Sequence, residues 1–288
     1  GDHIDYNGGL VMPCAINYGT FLAISTNAEN VYNFRSLDYS GVGALSSTEE
    51  HKRQGTHWYN FPLGILQLLK EVGMPSTGLN TLFAGNLPVG AGLSSSASIE
   101  MVTADAVNKM FELGVSPTEL AKLGKRTENE FIGLNSGIMD QFAVAMGREG
   151  QAILLDCDTL DFQYIPFDIG EYALVVINTN KRRTLSDSKY NERFAECRVA
   201  LEELKRSMPV ENLCDLDKSE FEAHRHLISN PLVEKRAEHA VMENLRVKEA
   251  ADLLKKGDIN GFGKLLYASH YSLRDLYEAS GKELDTII

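Results

Sequence analysis

Apolar and polar positions change period several times along this chain, and the changes mark out its elements. Residues 10–26 and 30–36 alternate as strands do, with Leu22, Ile24 and Val31 as expected core positions. Residues 58–72 switch to helical spacing, with Phe61, Ile65, Leu68 and Leu69 on one face and Gly73 and Pro75 as the stop. A strand is expected at 79–85. A helix follows at 99–111, where Ile99, Val102, Ala106 and Met110 recur. Ser116 and Pro117 open another helix at 117–131, and 153–157 reads as a short buried strand. The continuous β-branched run 172–178 is the strongest strand signal, apolar enough for burial on both faces. Beyond it the pattern is helical. Phe194, Cys197, Leu201 and Leu204 form one stripe within 188–208. Residues 231–256 form a long helix ending at Gly257. Asp258 caps the next, with Phe262, Leu265, Leu266, Leu273 and Leu276 inward.

Strands and helices thus alternate early and helices dominate late. This predicts an α+β protein of two lobes, 1–170 and 171–288, with the cleft between lobes as the expected ligand site. The 288 residues suffice for two cores, and no internal repeat is visible. A net charge of −12 argues against a broad grip on nucleic acid, yet leaves room for a small anion held by local N–H groups. Cys14, Cys157, Cys197 and Cys214 lack Cys-x-x-Cys or zinc spacing and read as reduced thiols, which predicts a cytoplasmic protein. No run approaches a membrane span. A monomer is expected.

Chemistry concentrates in four stretches. Residues 88–98, Pro-Val-Gly-Ala-Gly-Leu-Ser-Ser-Ser-Ala-Ser, run into a helix N-terminus. Glycines allow close backbone approach, serines offer hydroxyls, and the helix end presents free N–H groups, which together suit phosphate. An ordinary serine-capped turn has the same composition. Residues 1–9, Gly-Asp-His-Ile-Asp-Tyr-Asn-Gly-Gly, crowd acceptors and donors into a short loop that suits a polyol or a plain polar turn. Within 127–142, Glu128 and Asp140 offer carboxylates for magnesium and for proton removal, or are solvated charges. Residues 178–190 carry a basic triplet, Lys181 to Arg183, and end on Tyr190, whose hydroxyl reaches a ligand or simply packs. Walker, protein-kinase and hydrolase-elbow motifs are all absent.

In combination and order, these stretches resemble the GHMP small-molecule kinases and, within them, the galactokinase family. The resemblance implies a two-lobed fold, with an N-terminal ribosomal-S5-like α/β lobe and a helix-rich C-terminal α+β lobe. It implies transfer of the γ-phosphoryl group of ATP to the anomeric hydroxyl of α-D-galactose, giving galactose 1-phosphate, with Mg²⁺ as cofactor. Gly90, Ala91, Gly92, Leu93, Ser94, Ser95 and Ser96 would wrap the nucleotide phosphates, with Ser36 on the nucleoside side. Ser96 and Glu128 would hold the metal. Asp2, His3, Asp5, Gly137, Asp140 and Tyr190 would hold the sugar, with Asp140 as catalytic base.

Asp2 departs from the glutamate usual in the family, and Ile4 from the usual threonine. An isoleucine there also occurs in the N-acetylgalactosamine kinase branch. That kinase, an arabinose kinase and a non-catalytic sugar sensor are the alternatives, although sensors tend to carry lesions in the phosphate loop and this loop is intact. Family members also carry an arginine before the first motif and a third glycine-rich motif near the C-terminus. Neither is in this sequence, so it reads as truncated at both ends, with an open sheet edge expected in the second lobe and the activity of the piece itself left open.

Overall fold

The structure is a computed structural model and describes residues 1–88, 91–179 and 189–288. Contacts divide the chain into two compact units, Ile16–Met146 and a second made of Gly1–Ala15 with Gly147–Ile288. These units are grouped by contact, a different criterion from the boundary near residue 170 expected from sequence.

The first unit carries a four-stranded sheet of β2 (Thr20–Asn27), β3 (Val31–Ser36), β4 (Gly43–Ser46) and β5 (Gly78–Gly85), in the order β2-β5-β3-β4. β5 runs antiparallel to β2 and parallel to β3. Alternation along β3 and β5 buries Tyr32, Phe34, Leu79, Thr81 and Phe83 on one face. The other face carries a polar rung in which Asn27 and Asn33 both donate to Asn80. The expected core positions shift accordingly. Leu22, Ile24 and Val31 are only half-buried. β2 is an edge strand, so Leu22 and Ile24 have neighbours on one side only, and Val31 points away from the face that Tyr32 occupies.

Among the described residues, this unit also carries the α-helices α1 (Asn60–Glu71), α2 (Ser95–Met110), α3 (Pro117–Arg126) and α4 (Met139–Met146). α2 is central, packing on α1, α3, α4 and β2. Ser116 caps α3 by accepting from the Glu119 N–H. The single helix expected at 117–131 is instead α3 followed by a π turn, Thr127–Ile132, closed by Gly133 at φ +82°.

The second unit builds a three-stranded antiparallel sheet, with β1 (Leu10–Val11) and β7 (Phe162–Pro166) flanking β6 (Gln151–Asp156). Its helices are α5 (Tyr190–Lys205), α6 (Lys218–His224), α7 (Pro231–Lys255), α8 (Ile259–Asp275) and α9 (Lys282–Asp285). α7 packs against α5, α6, α8, β1 and β7. Its Asn244 accepts from the Leu10 N–H at 2.8 Å and donates to the Cys214 carbonyl at 2.7 Å, tying the N-terminal segment in. Two helix ends follow their sequence signals, since Gly257 takes φ +71° and Asp258 caps α8 through the Gly261 N–H; Asn230 caps α7.

Two expectations fail here. The run 172–178 is not a strand, and Tyr172, Leu174, Val175, Val176 and Ile177 are exposed. A strand exists only through its ladder partners, and no described segment pairs with this one. On α8 the apolar stripe is at best half-covered. Leu266 is exposed, Phe262, Leu265, Leu273 and Leu276 are half-buried, and Ser272 alone is buried. Among the described residues, no helix is long and apolar enough to cross a membrane.

Candidate functional site

The predicted site residues fall into two groups, one on each unit. In Ile16–Met146, the glycine-serine loop enters α2 through Gly92 at φ +73° and Ser94 at φ +54°. Gly92 takes this conformation freely, whereas Ser94 is held left-handed at some strain, which is common where a backbone is shaped for a ligand. Ser94 is the N-cap of α2, yet its side chain makes no capping bond. The positive helix end is therefore not quenched by its own cap. Gly90 lies outside the described residues, as does the basic triplet Lys181 to Arg183.

Beside this helix start is a small cavity lined by Ser36, Asp38, Tyr39, Phe83, Gly85 and Ser95, among others. The Ser36 hydroxyl accepts the N–H groups of Asp38 at 3.0 Å and Tyr39 at 3.2 Å. Its own proton remains free to donate. Asp38 in turn accepts from the Gly85 N–H at 2.7 Å. Tyr39 stacks on Trp58, the one tryptophan of the chain.

Glu128 lies on the π turn and is nearly fully buried. The extra residue per turn re-aims side chains, and such turns frequently mark functional positions. Burial pushes its carboxyl up, while hydrogen bonds from Ser136 and Ser96 and the amide of Gln141 pull it down; the charge of Asp140 adds to the rise. The turn is held from behind by a close approach. A Cβ on Gly64 of α1 would sit 2.5 Å from Thr127 Cγ2 and 3.1 Å from Phe131 Cδ1. Gly64→Ala is therefore expected to destabilise the unit by about 1–3 kcal/mol and to move Glu128. Denaturant unfolding checks this; unchanged stability would mean that the turn yields freely.

Asp140 is half-buried in the first turn of α4, just after buried Gly137. The sequence reading missed two neighbours. Glu100 on α2 and Gln141 on α4 are both buried, joined at 3.1 Å, and sit beside Glu128 and Asp140. Both occupy inward helix positions where an apolar residue would be usual, and that was the one signal available.

Among the described residues, no group of three or more His, Cys, Asp or Glu side chains could hold a metal alone. Ser96 and Glu128 nevertheless suit Mg²⁺, which takes one or two protein oxygens and draws the rest from phosphates and water. A buried carboxylate hydrogen-bonded to two serine hydroxyls, with further acidic neighbours, is the right donor set for a hard cation.

In the second unit, the loop at residues 1–9 is shaped by His3 at φ +62° and a 3₁₀ turn, Asp5–Asn7, which buries Asp5. The His3 ring lies 4.9 Å from the Tyr190 ring, and the Tyr190 hydroxyl reaches Asp5 Oδ1 at a long 3.5 Å. His3, Asp5 and Tyr190 are thus brought together. The Asp2 side chain is exposed, but its carbonyl accepts from His239 Nε2 at 3.0 Å. Ile4 is fully buried, packed against Gly9, so this departure from the family pattern is a core residue beneath the loop.

Sequence reading also missed the support of this loop. His3 Nδ1 bonds the Tyr6 hydroxyl at 2.8 Å, Tyr6 bonds Tyr277 at 2.7 Å, and Tyr277 bonds Cys197 Sγ at 3.2 Å. Burial pushes the Cys197 thiol up to about 11, so it is a neutral packing group. All four cysteines are free.

Residues 60–148 match the model of the GHMP kinases N terminal domain, and residues 1–26 match the galactokinase galactose-binding signature. A galactokinase of Clostridium tetani is 48% identical over the whole of this chain and 74% of its own length. One of Lacticaseibacillus casei is 46% identical over the whole chain and 75% of its length. The solved structure of Lactococcus lactis galactokinase complexed with galactose superposes with a TM-score of 0.96 at 42% identity, covering 99% of this chain and 74% of that one. Methanococcus jannaschii mevalonate kinase shares the fold at TM-score 0.62 and 20% identity. The chain therefore spans about three quarters of the length of these galactokinases. Relatives of such identity, matched from one end of this sequence to the other, leave one assignment: the chain belongs to the galactokinase family of the GHMP kinases.

Proposed function

We propose that the protein phosphorylates galactose at its anomeric hydroxyl with ATP, yielding galactose 1-phosphate and ADP. The observation that carries this reading is the meeting of three groups. Buried Glu128 accepts from Ser96 in the first turn of α2 and lies beside Asp140 in the first turn of α4. A nucleotide phosphate cradle, a metal carboxylate and a second carboxylate are what phosphoryl transfer needs, since its catalysis is mostly positioning and charge stabilisation.

In this reading the backbone from Ala91 to Ser95 binds the phosphates at the helix end. Ser36 donates on the nucleoside side. Ser96 and Glu128 hold Mg²⁺, which when bound neutralises charge on the phosphate oxygens. His3, Asp5 and Tyr190 orient the sugar, with Asp2 and Gly137 as further contacts. Asp140 accepts the proton of the anomeric hydroxyl. The sugar oxygen then bonds to the γ-phosphorus, and the bond from phosphorus to the β,γ-bridging oxygen breaks, releasing ADP.

The test is turnover on galactose, N-acetylgalactosamine and arabinose, with nucleotide binding followed by Trp58 fluorescence. Trp58 stacks on Tyr39 at the cavity wall, so ATP with Mg²⁺ is expected to change its emission. Ser96→Ala and Glu128→Gln should each raise the Mg²⁺ requirement at least tenfold. Clear turnover of another sugar without galactose turnover overturns the substrate, and binding with no turnover of any sugar favours a sensor.

A further inference from the structure

Glu100 is the most deeply buried carboxyl among the described residues, at 0% exposure, and the phosphoryl-transfer scheme does not use it. Its Oε2 accepts from Gln141 Nε2 at 3.1 Å. Its Oε1 has no partner, and neither has Gln141 Oε1, although both atoms are buried. Two orphaned acceptors on one pair have a single economical explanation. A proton on Glu100 Oε1, donated to Gln141 Oε1, satisfies both atoms at once. Such a proton would make a cyclic acid–amide pair with two parallel hydrogen bonds. Exchanging the amide ends of Gln141 only swaps which carboxyl oxygen holds the proton.

The setting gives the pair a task. Glu100 is on α2, five residues past its first residue, Ser95, and Gln141 follows Asp140 on α4. The Gln141 amide also acts on Glu128. The fit is tight by construction: a Cβ on Gly124 of α3 would meet Gln141 Cγ at 2.6 Å and Met101 Cε at 2.7 Å. Burial, with the charges of Glu128 and Asp140 beside it, pushes the Glu100 carboxyl well above the ordinary range, in keeping with a neutral acid.

We propose that Glu100 and Gln141 are positioning residues: an acid–amide pair, sharing one proton, that ties α2 to α4 and sets the Gln141 amide against Glu128. This rests on the reading of Glu128 and Asp140 given above. The pair holds the metal carboxylate in place from behind without touching metal, nucleotide or sugar, as outer-shell partners do elsewhere.

Three variants test it, read by infrared spectroscopy, by Trp58-detected nucleotide binding against Mg²⁺ concentration, and by kcat. The wild-type protein should show a protonated carboxylic-acid carbonyl band that Glu100→Gln removes. Glu100→Leu, similar in volume and apolar, should fold yet need about tenfold more Mg²⁺ for half-maximal nucleotide binding. Glu100→Gln, whose amide can still pair with Gln141, should recover most of that loss. The exchange E100Q/Q141E should restore the acid band. An acid band untouched by Glu100→Gln overturns the proposal. So does Glu100→Gln behaving as badly as Glu100→Leu, since a charge rather than a pair would then be at work, and so does a wild-type Mg²⁺ requirement in Glu100→Leu. If wild-type protein neither binds nucleotide nor turns over sugar, the kinase reading fails, while the infrared band still reports on the pair.

Discussion

Asp140→Asn is expected to lower kcat for galactose phosphorylation by about 10²–10⁴-fold, the usual worth of a positioned general base, with KM for ATP changed only a few-fold. The amide keeps the size of the side chain but cannot accept the hydroxyl proton. Asp140 is well placed for the part because α4 begins at Met139, so its carboxylate sits in the first helical turn, where negative charge is favoured. Two buried acids share its surroundings, and its charge raises the carboxyls of both Glu100 and Glu128. Carboxyls perturbed in this way by burial and by one another are a common mark of functional sites. Steady-state kinetics with a binding measurement on the same variant decides the matter. Undiminished kcat would remove Asp140 from the base role, and lost nucleotide binding would make its role structural.

Acid destabilisation through His239 is the second large effect. This imidazole is fully buried between the Asp2 carbonyl, which takes its Nε2 proton, and Ser272, whose hydroxyl bonds Nδ1 at 2.8 Å. A carbonyl can only accept, so the neutral ring carries its proton on Nε2. Burial lowers its pKa from 6.5 to about 4; Glu243 and the Asp2 carbonyl oppose the shift, while Arg246 and His3 assist it. Between these two values the unfolded chain binds a proton that the folded protein refuses. Stability is therefore whole above about pH 6.5 and falls as pH drops toward 4, by about 3 kcal/mol over the window. Denaturant unfolding across this range checks it, and His239→Gln should flatten the slope between pH 6.5 and 4. Because the ring holds the Asp2 backbone, the same acidification should loosen the loop of residues 1–9 and weaken sugar binding. A wild-type slope in His239→Gln would assign the effect to other groups.

Much of the candidate site was legible in the sequence because its parts are local. A glycine-serine run must precede the helix whose end it shapes, so Ala91 to Ser96 and α2 could be read together. Gly257 and Asp258 announced helix ends, which depend on residues next to them in the chain. Signals that depend on distant partners misled. The run 172–178 has the composition of a central strand, but composition cannot supply a ladder partner, and the described structure holds none. The α8 stripe has the period of a buried face without a surface to cover it. Leu22 and Ile24 alternate correctly on a strand that turned out to be an edge.

By itself the sequence determined the order of the chemical segments, the helices that carry them and the family they belong to, because each rests on residues close in the chain. Only the tertiary structure decided what supports those segments. The π turn that aims Glu128 is set by Gly64 and Thr127, which are sixty-three positions apart. The Tyr6–Tyr277 bond behind His3 and the His239 bond to Asp2 join residues more than two hundred positions apart. Glu100 and Gln141 look like ordinary polar helix residues until burial leaves two of their oxygens without partners. Burial and long-range pairing are properties of the packed molecule, and no local pattern encodes them.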